Sequence, residues 1–171
     1  MRPYTTEIID SIIWSLQTYV KPELQSPFAD SVLMTVENLL RHIRIREESE
    51  ATLLLEDKRE LEAVLEKLHA NLNGHDGLSK LLGNELEDIQ LRLRETRIEQ
   101  DGIPSVGDLN EHSEVLRKIL DELLKALSAL RHDYATDETY RNCRQLIRDY
   151  IAHSLERDGQ LITPAFTGGR R

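Results

Sequence analysis

One cysteine in 171 residues, Cys143, leaves nothing for a disulfide framework within the chain. Proline and glycine are also scarce, at five and eight, and the aromatic share is 5%. A chain rich in Leu, Glu and Arg and poor in helix breakers has the profile of a helical protein. Long apolar runs are missing. Nowhere do 18 apolar residues follow one another, so no membrane span is expected. The opening "MRPYTTEIIDSIIWSL" is interrupted by Glu7 and Asp10 and lacks the apolar run of a signal peptide, so the cytoplasm is the expected location. An excess of positive charge is absent too. The net charge is −9, which repels phosphate backbones, and neither nucleic acid nor an anionic membrane is an expected partner. No P-loop, dinucleotide fingerprint or G-x-S-x-G is present, and no residue set defines a reaction. No catalytic residue and no cofactor is therefore assigned.

The residues that are plentiful recur at helical spacing. Ile8, Ile9, Ile12, Ile13, Leu16, Tyr19 and Val20 mark a first helix over residues 5–21, with Thr5 or Thr6 as cap and Pro22 as stop. Ser26 and Pro27 read as the N-cap and first position of a second helix. Its expected buried face is Val32, Leu33, Val36, Leu39, Leu40 and Ile43. Asp57 and Glu60 resemble a capping box, which predicts a break near residues 55–57 and a new helix to about residue 72, with a single bent helix as the alternative. Leu61, Val64, Leu65 and Leu68 should face inward there. "NLNGHDGLSKLLGN" reads as a turn region and "EQDGIPSVGD" as a connector. Asn84 with Glu87, and Asp108 with Glu111, look like further helix starts. Leu116, Leu120, Leu123, Leu127, Leu130 and Tyr134 keep a strict 4-3-4-3-4 rhythm, the seam of a helix packed at a shallow angle on another. A last helix is predicted from Thr136 or Asp137, with Tyr140, Cys143, Leu146, Ile147, Tyr150, Ile151 and Leu155 inward and Gly159 as its C-terminal cap. The expected fold is an all-α antiparallel bundle of about five helices, one domain over residues 1–160, followed by an extended, non-helical tail over 161–171.

Candidate sites are few. A carboxylate-bridged metal pair needs Glu-x-x-His twice, and only Glu66–His69 has that spacing. A lone site from His69, His75 and Asp76 is conceivable, but such groupings arise by chance among six histidines, so no metal is assigned. Most charges in residues 37–50 are i,i+4 partners, the pattern of a wetted helix face. Arg41 and Arg44 there, and Arg144 and Arg148 on the last helix, could instead hold an anion, because guanidiniums fork onto phosphate oxygens. Arg144 and Arg148 lack an acid at i±4, whereas Arg141 can pair back to Asp137. Cys143 sits on the apolar stripe and reads as a small core residue. Trp14 at the rim of the first helix, and Leu161, Ile162 and Phe166 in the tail, are candidate contacts for a partner. The first helix's stripe and these tail residues together predict a homo-oligomer, a dimer, with a further protein partner possible.

Pro22, Leu24, Phe28, Asn38, Leu40, Arg46 and Glu47 carry a resemblance over residues 8–70. The pattern of a helix ending in Pro-x-Leu, then a phenylalanine, then Asn-x-Leu leading to Arg-Glu, resembles an uncharacterised bacterial family of small helical proteins. That family is similar to segments accompanying aminoglycoside-phosphotransferase-like kinases and acyl-CoA dehydrogenases. The resemblance implies an accessory role in acyl-CoA or small-molecule catabolism, and it brings no catalytic residues. Two functions are thus expected in order: a non-enzymatic, self-associating interaction subunit, or an accessory protein or enzyme component recognising a phosphate- or CoA-bearing molecule.

Overall fold

The structure, a computed structural model, describes residues 3–97 and 104–162. It is all-α, with no strand among the described residues. Among the described residues seven helices follow in order: α1 Thr5–Ser15, α2 Pro27–Asn73, α3 Asp76–Leu81, α4 Gly83–Glu95, α5 Val106–Ala129, α6 Arg131–Tyr134 and α7 Glu138–Ile162. Five of them have seven residues or more, matching the number expected from periodicity. Where the sequence reads as one domain over 1–160, the described residues group into two compact units, 3–52 with 157–162, and 53–97 with 104–156.

The first unit is a helical hairpin. The backbone N–H of Tyr4 bonds the Glu7 carboxylate at 2.9 Å, so α1 is closed by Tyr4 and Glu7 rather than by a threonine. The chain then widens into a π turn, Leu16–Val20, and tightens into a 3₁₀ turn, Lys21–Glu23, around Pro22. That sequence ends the helix where proline withholds its donor. α2 opens at Pro27 as expected, the Asp30 N–H reaching the Ser26 carbonyl at 3.0 Å. Gln17 bonds Glu37 at 3.2 Å and Arg44 bonds Asp10 at 2.9 Å, which sets α1 and the first half of α2 antiparallel.

This pairing corrects the expected buried face of α2. The side facing α1 carries Leu33, Glu37, Leu40 and Arg44, of which Leu33 and Glu37 are buried. Val32, Val36, Leu39 and Ile43 point away and are exposed. The expected face spans two lines about a quarter-turn apart, and the one holding Glu37 and Arg44, the partners of Gln17 and Asp10, met α1.

α2 does not break at 55–57. No proline or glycine lies between Pro27 and Asn73, so nothing interrupts the hydrogen-bond ladder. Asp57, read as a cap, is instead a buried carboxylate 3% exposed. Arg117 of α5 donates to it at 2.7 Å, and the Tyr150 hydroxyl of α7 donates at 3.3 Å. Beside it Lys58 is buried and pairs with Glu62 one turn on.

The second unit is held by matching leucine seams. Leu61, Leu65, Leu68 and Leu72 on α2 repeat the 4-3-4 spacing of Leu116, Leu120, Leu123 and Leu127 on α5, and all eight are at most 5% exposed. Leu82, Leu86 and Ile89 supply a third seam, and Tyr140, Cys143, Ile147 and Tyr150 of α7 the fourth. Burying each leucine stabilises the fold by roughly 2 kcal/mol. Tyr150 against Asp57 and His75 against Asp137 set α7 antiparallel to α2, and Tyr140 bonding the Leu127 carbonyl at 3.0 Å sets it antiparallel to α5. Two of the expected inward residues of α7 are exposed, Ile151 and Leu155, because the seam follows a 3-4-3 line through 140–150 and they fall beside it. The expected turn region holds the short helix α3, whose N-cap is the His75 ring. At Gly77 a Cβ would stand 2.7 Å from the Tyr134 hydroxyl, so a larger residue there would have to move that ring.

α4 begins one residue before Asn84, and α5 is capped by Ser105 with Asp108 rather than by Asp108 with Glu111. α7 continues through Gly159 to Ile162, so Leu161 and Ile162 are helical rather than part of a tail. The rest of the expected tail, Phe166 included, lies outside the described residues.

Replacing Arg117 by alanine leaves the Asp57 carboxylate buried without its guanidinium, and urea unfolding should show a loss of about 3 kcal/mol. Exchanging both Asp57 and Arg117 for apolar residues should restore part of that loss. Equal losses for the single and double variants would show that no charge pair is at work.

Candidate functional site

Three of the histidines meet carboxylates. His75 accepts the Leu78 N–H on Nδ1 at 3.2 Å, so Nε2 carries the proton and donates to Asp137 at 3.1 Å. Both ring nitrogens are therefore used. Asp137 also accepts the Tyr140 N–H at 2.8 Å, capping α7, and that bond, helped by His75, holds its carboxyl below the usual range. His153 meets Glu60 at 2.8 Å and His132 meets Asp133 at 3.1 Å. Among the described residues no three His, Cys, Asp or Glu side chains are grouped to hold a metal ion.

The four arginines expected to bind an anion fare differently. Arg41 is bonded to Glu37 at 3.1 Å and Asn38 at 3.0 Å. Arg44 is bonded to Asp10 and, at 3.2 Å, to Glu48. Their charge is matched by nearby acids, as the i,i+4 pattern indicates. Arg144 and Arg148 lie on one groove of about 690 Å³, which Arg131 and Arg141 also line. Arg144 donates to the Ser128 hydroxyl at 2.8 Å. Arg141 does not pair back to Asp137, whose oxygens serve His75 and the Tyr140 N–H. Glu138 is the one carboxylate on the groove wall. The helical row Arg141–Arg144–Arg148 was visible in the sequence; Arg131 was not, because only the short α6 turns it toward α7.

The partner-contact candidates also divide. Trp14 is 57% exposed and meets Tyr19 edge to face, with ring centroids 5.4 Å apart. Leu161 is buried in the last turn of α7 and is not offered to a partner, while Ile162 is exposed. The sequence reading missed an open apolar surface on α2. Phe28, Val32, Val36, Leu39 and Ile43 form one line on α2, with exposures from 39% to 78%. Their i+4, i+4, i+3, i+4 spacing keeps them within about a quarter of the helix circumference. Ser31, Thr35, Asn38 and His42 border the line, so the first four turns of this face carry no carboxylate, lysine or arginine. On α1, Ile8 and Ile12 are also exposed and line a shallow groove with Ser11 and Ser15. The signal was present in the apolar periodicity, but periodicity alone does not say whether a stripe has a partner within the chain.

No family model matches the chain, and neither a curated protein nor a solved structure matches it. The function has to be argued from these surfaces.

Cys143 is buried, and burial pushes its thiol up to about 11, with the Asn71 side chain pulling weakly the other way. At pH 8 the native thiol should stay protonated and resist a disulfide reagent, reacting only after denaturation. Because the native state holds this proton more tightly than the unfolded chain, its contribution to stability falls as pH rises above the ordinary 9.0. Rapid labelling of the native protein at pH 8 would contradict the buried placement.

Proposed function

We propose that this protein is a helical interaction subunit that pairs with a second copy of itself through the first half of α2. The observation that carries the reading is the uncharged apolar line Phe28–Val32–Val36–Leu39–Ile43. It exposes on the order of 500 Å² of apolar surface, at the upper end of what a monomer shows in one patch. Two such lines meeting about a twofold axis would bury about 1,000 Å², and the flanking Ile8 and Ile12 of each copy bring the contact into the range of specific interfaces. A second copy suits the face better than a charged partner, because the line and its border hold no charged side chain to match. Spacing of three and four residues is also what lets two helices interdigitate. The accessory role implied by the resemblance of residues 8–70 is part of this proposal: such a subunit acts by holding proteins together.

Light scattering during gel filtration at about 10 μM should give twice the chain mass of 19.8 kDa, and the thermal midpoint should rise with protein concentration. Val36→Glu with Leu39→Glu places two charges on the line without touching the α1 contact. That variant should run as a monomer with unchanged helicity. A monomeric parent chain, or a dimer indifferent to the two glutamates, would remove the reading.

A further inference from the structure

We propose that the groove between α6 and α7 is a binding site for a small ligand carrying two or more linked phosphoryl groups. This is independent of self-association through α2. Four guanidiniums, from Arg131, Arg141, Arg144 and Arg148, face one carboxylate, Glu138, in a chain whose net charge is −9. The local sign is opposite to that of the molecule. Concentrated like charge repels itself and costs stability unless something offsets it.

The neighbouring acids Asp133, Asp137 and Asp149 keep their charge but are directed to other donors and form no ion pair with the row. Asp137 is engaged by His75 and by the N-terminus of α7. Asp133 is engaged by His132, and Asp149 by Gln145 at 2.7 Å. Arg131, Arg141 and Arg148 have no carboxylate partner among the described residues. Arg144 is steered by the Ser128 hydroxyl, a neutral acceptor that leaves its charge unmatched. The contrast with Arg41 and Arg44 lies in their acids: there each guanidinium is closed by a carboxylate.

Shape and spacing select the ligand. Arg141, Arg144 and Arg148 rise along α7 over about 10 Å, so a single phosphate can be reached by two of them but not by all. A chain of phosphoryl groups lying along the helix can meet the whole row, with Arg131 closing from α6. All four cations are arginine and none is lysine, which favours bidentate contact to oxyanions. An acidic protein segment is the weaker fit. The groove's volume is that of a small-molecule site, and its one aromatic wall, Tyr140, is buried, leaving no exposed apolar anchor of the kind that dominates protein contacts.

The test is titration calorimetry on the full chain with inorganic tripolyphosphate, pyrophosphate and orthophosphate at constant low ionic strength. Tripolyphosphate should bind saturably, at least about tenfold more tightly than orthophosphate, and added salt should weaken it. Arg141→Ala with Arg148→Ala removes two guanidiniums that hold nothing else in place, and binding should weaken by about tenfold or more with helicity and thermal midpoint retained. Replacing the same two residues by lysine should recover only part of the affinity. Absence of saturable binding at millimolar tripolyphosphate, equal affinity for orthophosphate, binding undiminished in the alanine variant, or tighter binding of a poly-glutamate peptide would each overturn the proposal. Should the double variant unfold, Arg148→Gln alone serves the same comparison.

Discussion

A carboxylate in the middle of the longest helix has to be solvated by protein instead of water. Asp57 sits 3% exposed on α2, and its charge is met by Arg117 from α5 and by the Tyr150 hydroxyl from α7. An ionised carboxylate in such a place is tolerated only when donors are brought to it. Three helices are thereby tied to one point, and their leucine seams can slide past one another only by abandoning that charge. Burial, in turn, pushes the Tyr150 hydroxyl up, so it stays a donor at neutral pH. Apolar packing supplies most of the stability here, but leucine meeting leucine is nearly indifferent to a shift of one turn. The polar contact is what distinguishes one register from the next.

The first unit shows the opposite balance. Its two helical segments meet through Gln17 with Glu37 and Arg44 with Asp10, and much of their apolar side remains open. A hairpin of two helices has too little interior to bury two stripes at once. One stripe is used within the unit, and the other is left for something else. That division leaves an apolar face of α2 open beside a paired one.

Much of the architecture was legible because helical periodicity is a direct record of burial. Leu61, Leu65 and Leu68 and the seam from Leu116 to Leu127 are all interior, as their spacing required. Pro27 and Asp137 mark helix starts by local chemistry that needs no tertiary partner. Legibility failed where one residue type serves two purposes. Asp57 has the spacing of a cap and the role of a buried ion. Val36 and Leu39 have the spacing of core residues and lie on the surface. The arginine row of α7 could be read from its spacing and from the missing acids at i±4, whereas the loss of Arg141's expected partner depended on His75, 62 residues before Asp137.

The sequence by itself determined that the chain is helical, where α2 and α7 begin, and that Leu61, Leu65, Leu68 and the seam from Leu116 to Leu127 are interior. These follow from backbone geometry and from the aversion of aliphatic side chains to water, and both act over a few turns. Tertiary structure alone decided that Asp57 is an interior ion, which stripe of α2 stays open, and that Arg131 joins the row on α7. Each of those depends on which distant residue arrives as a partner, and a local pattern holds no information about a partner dozens of residues away.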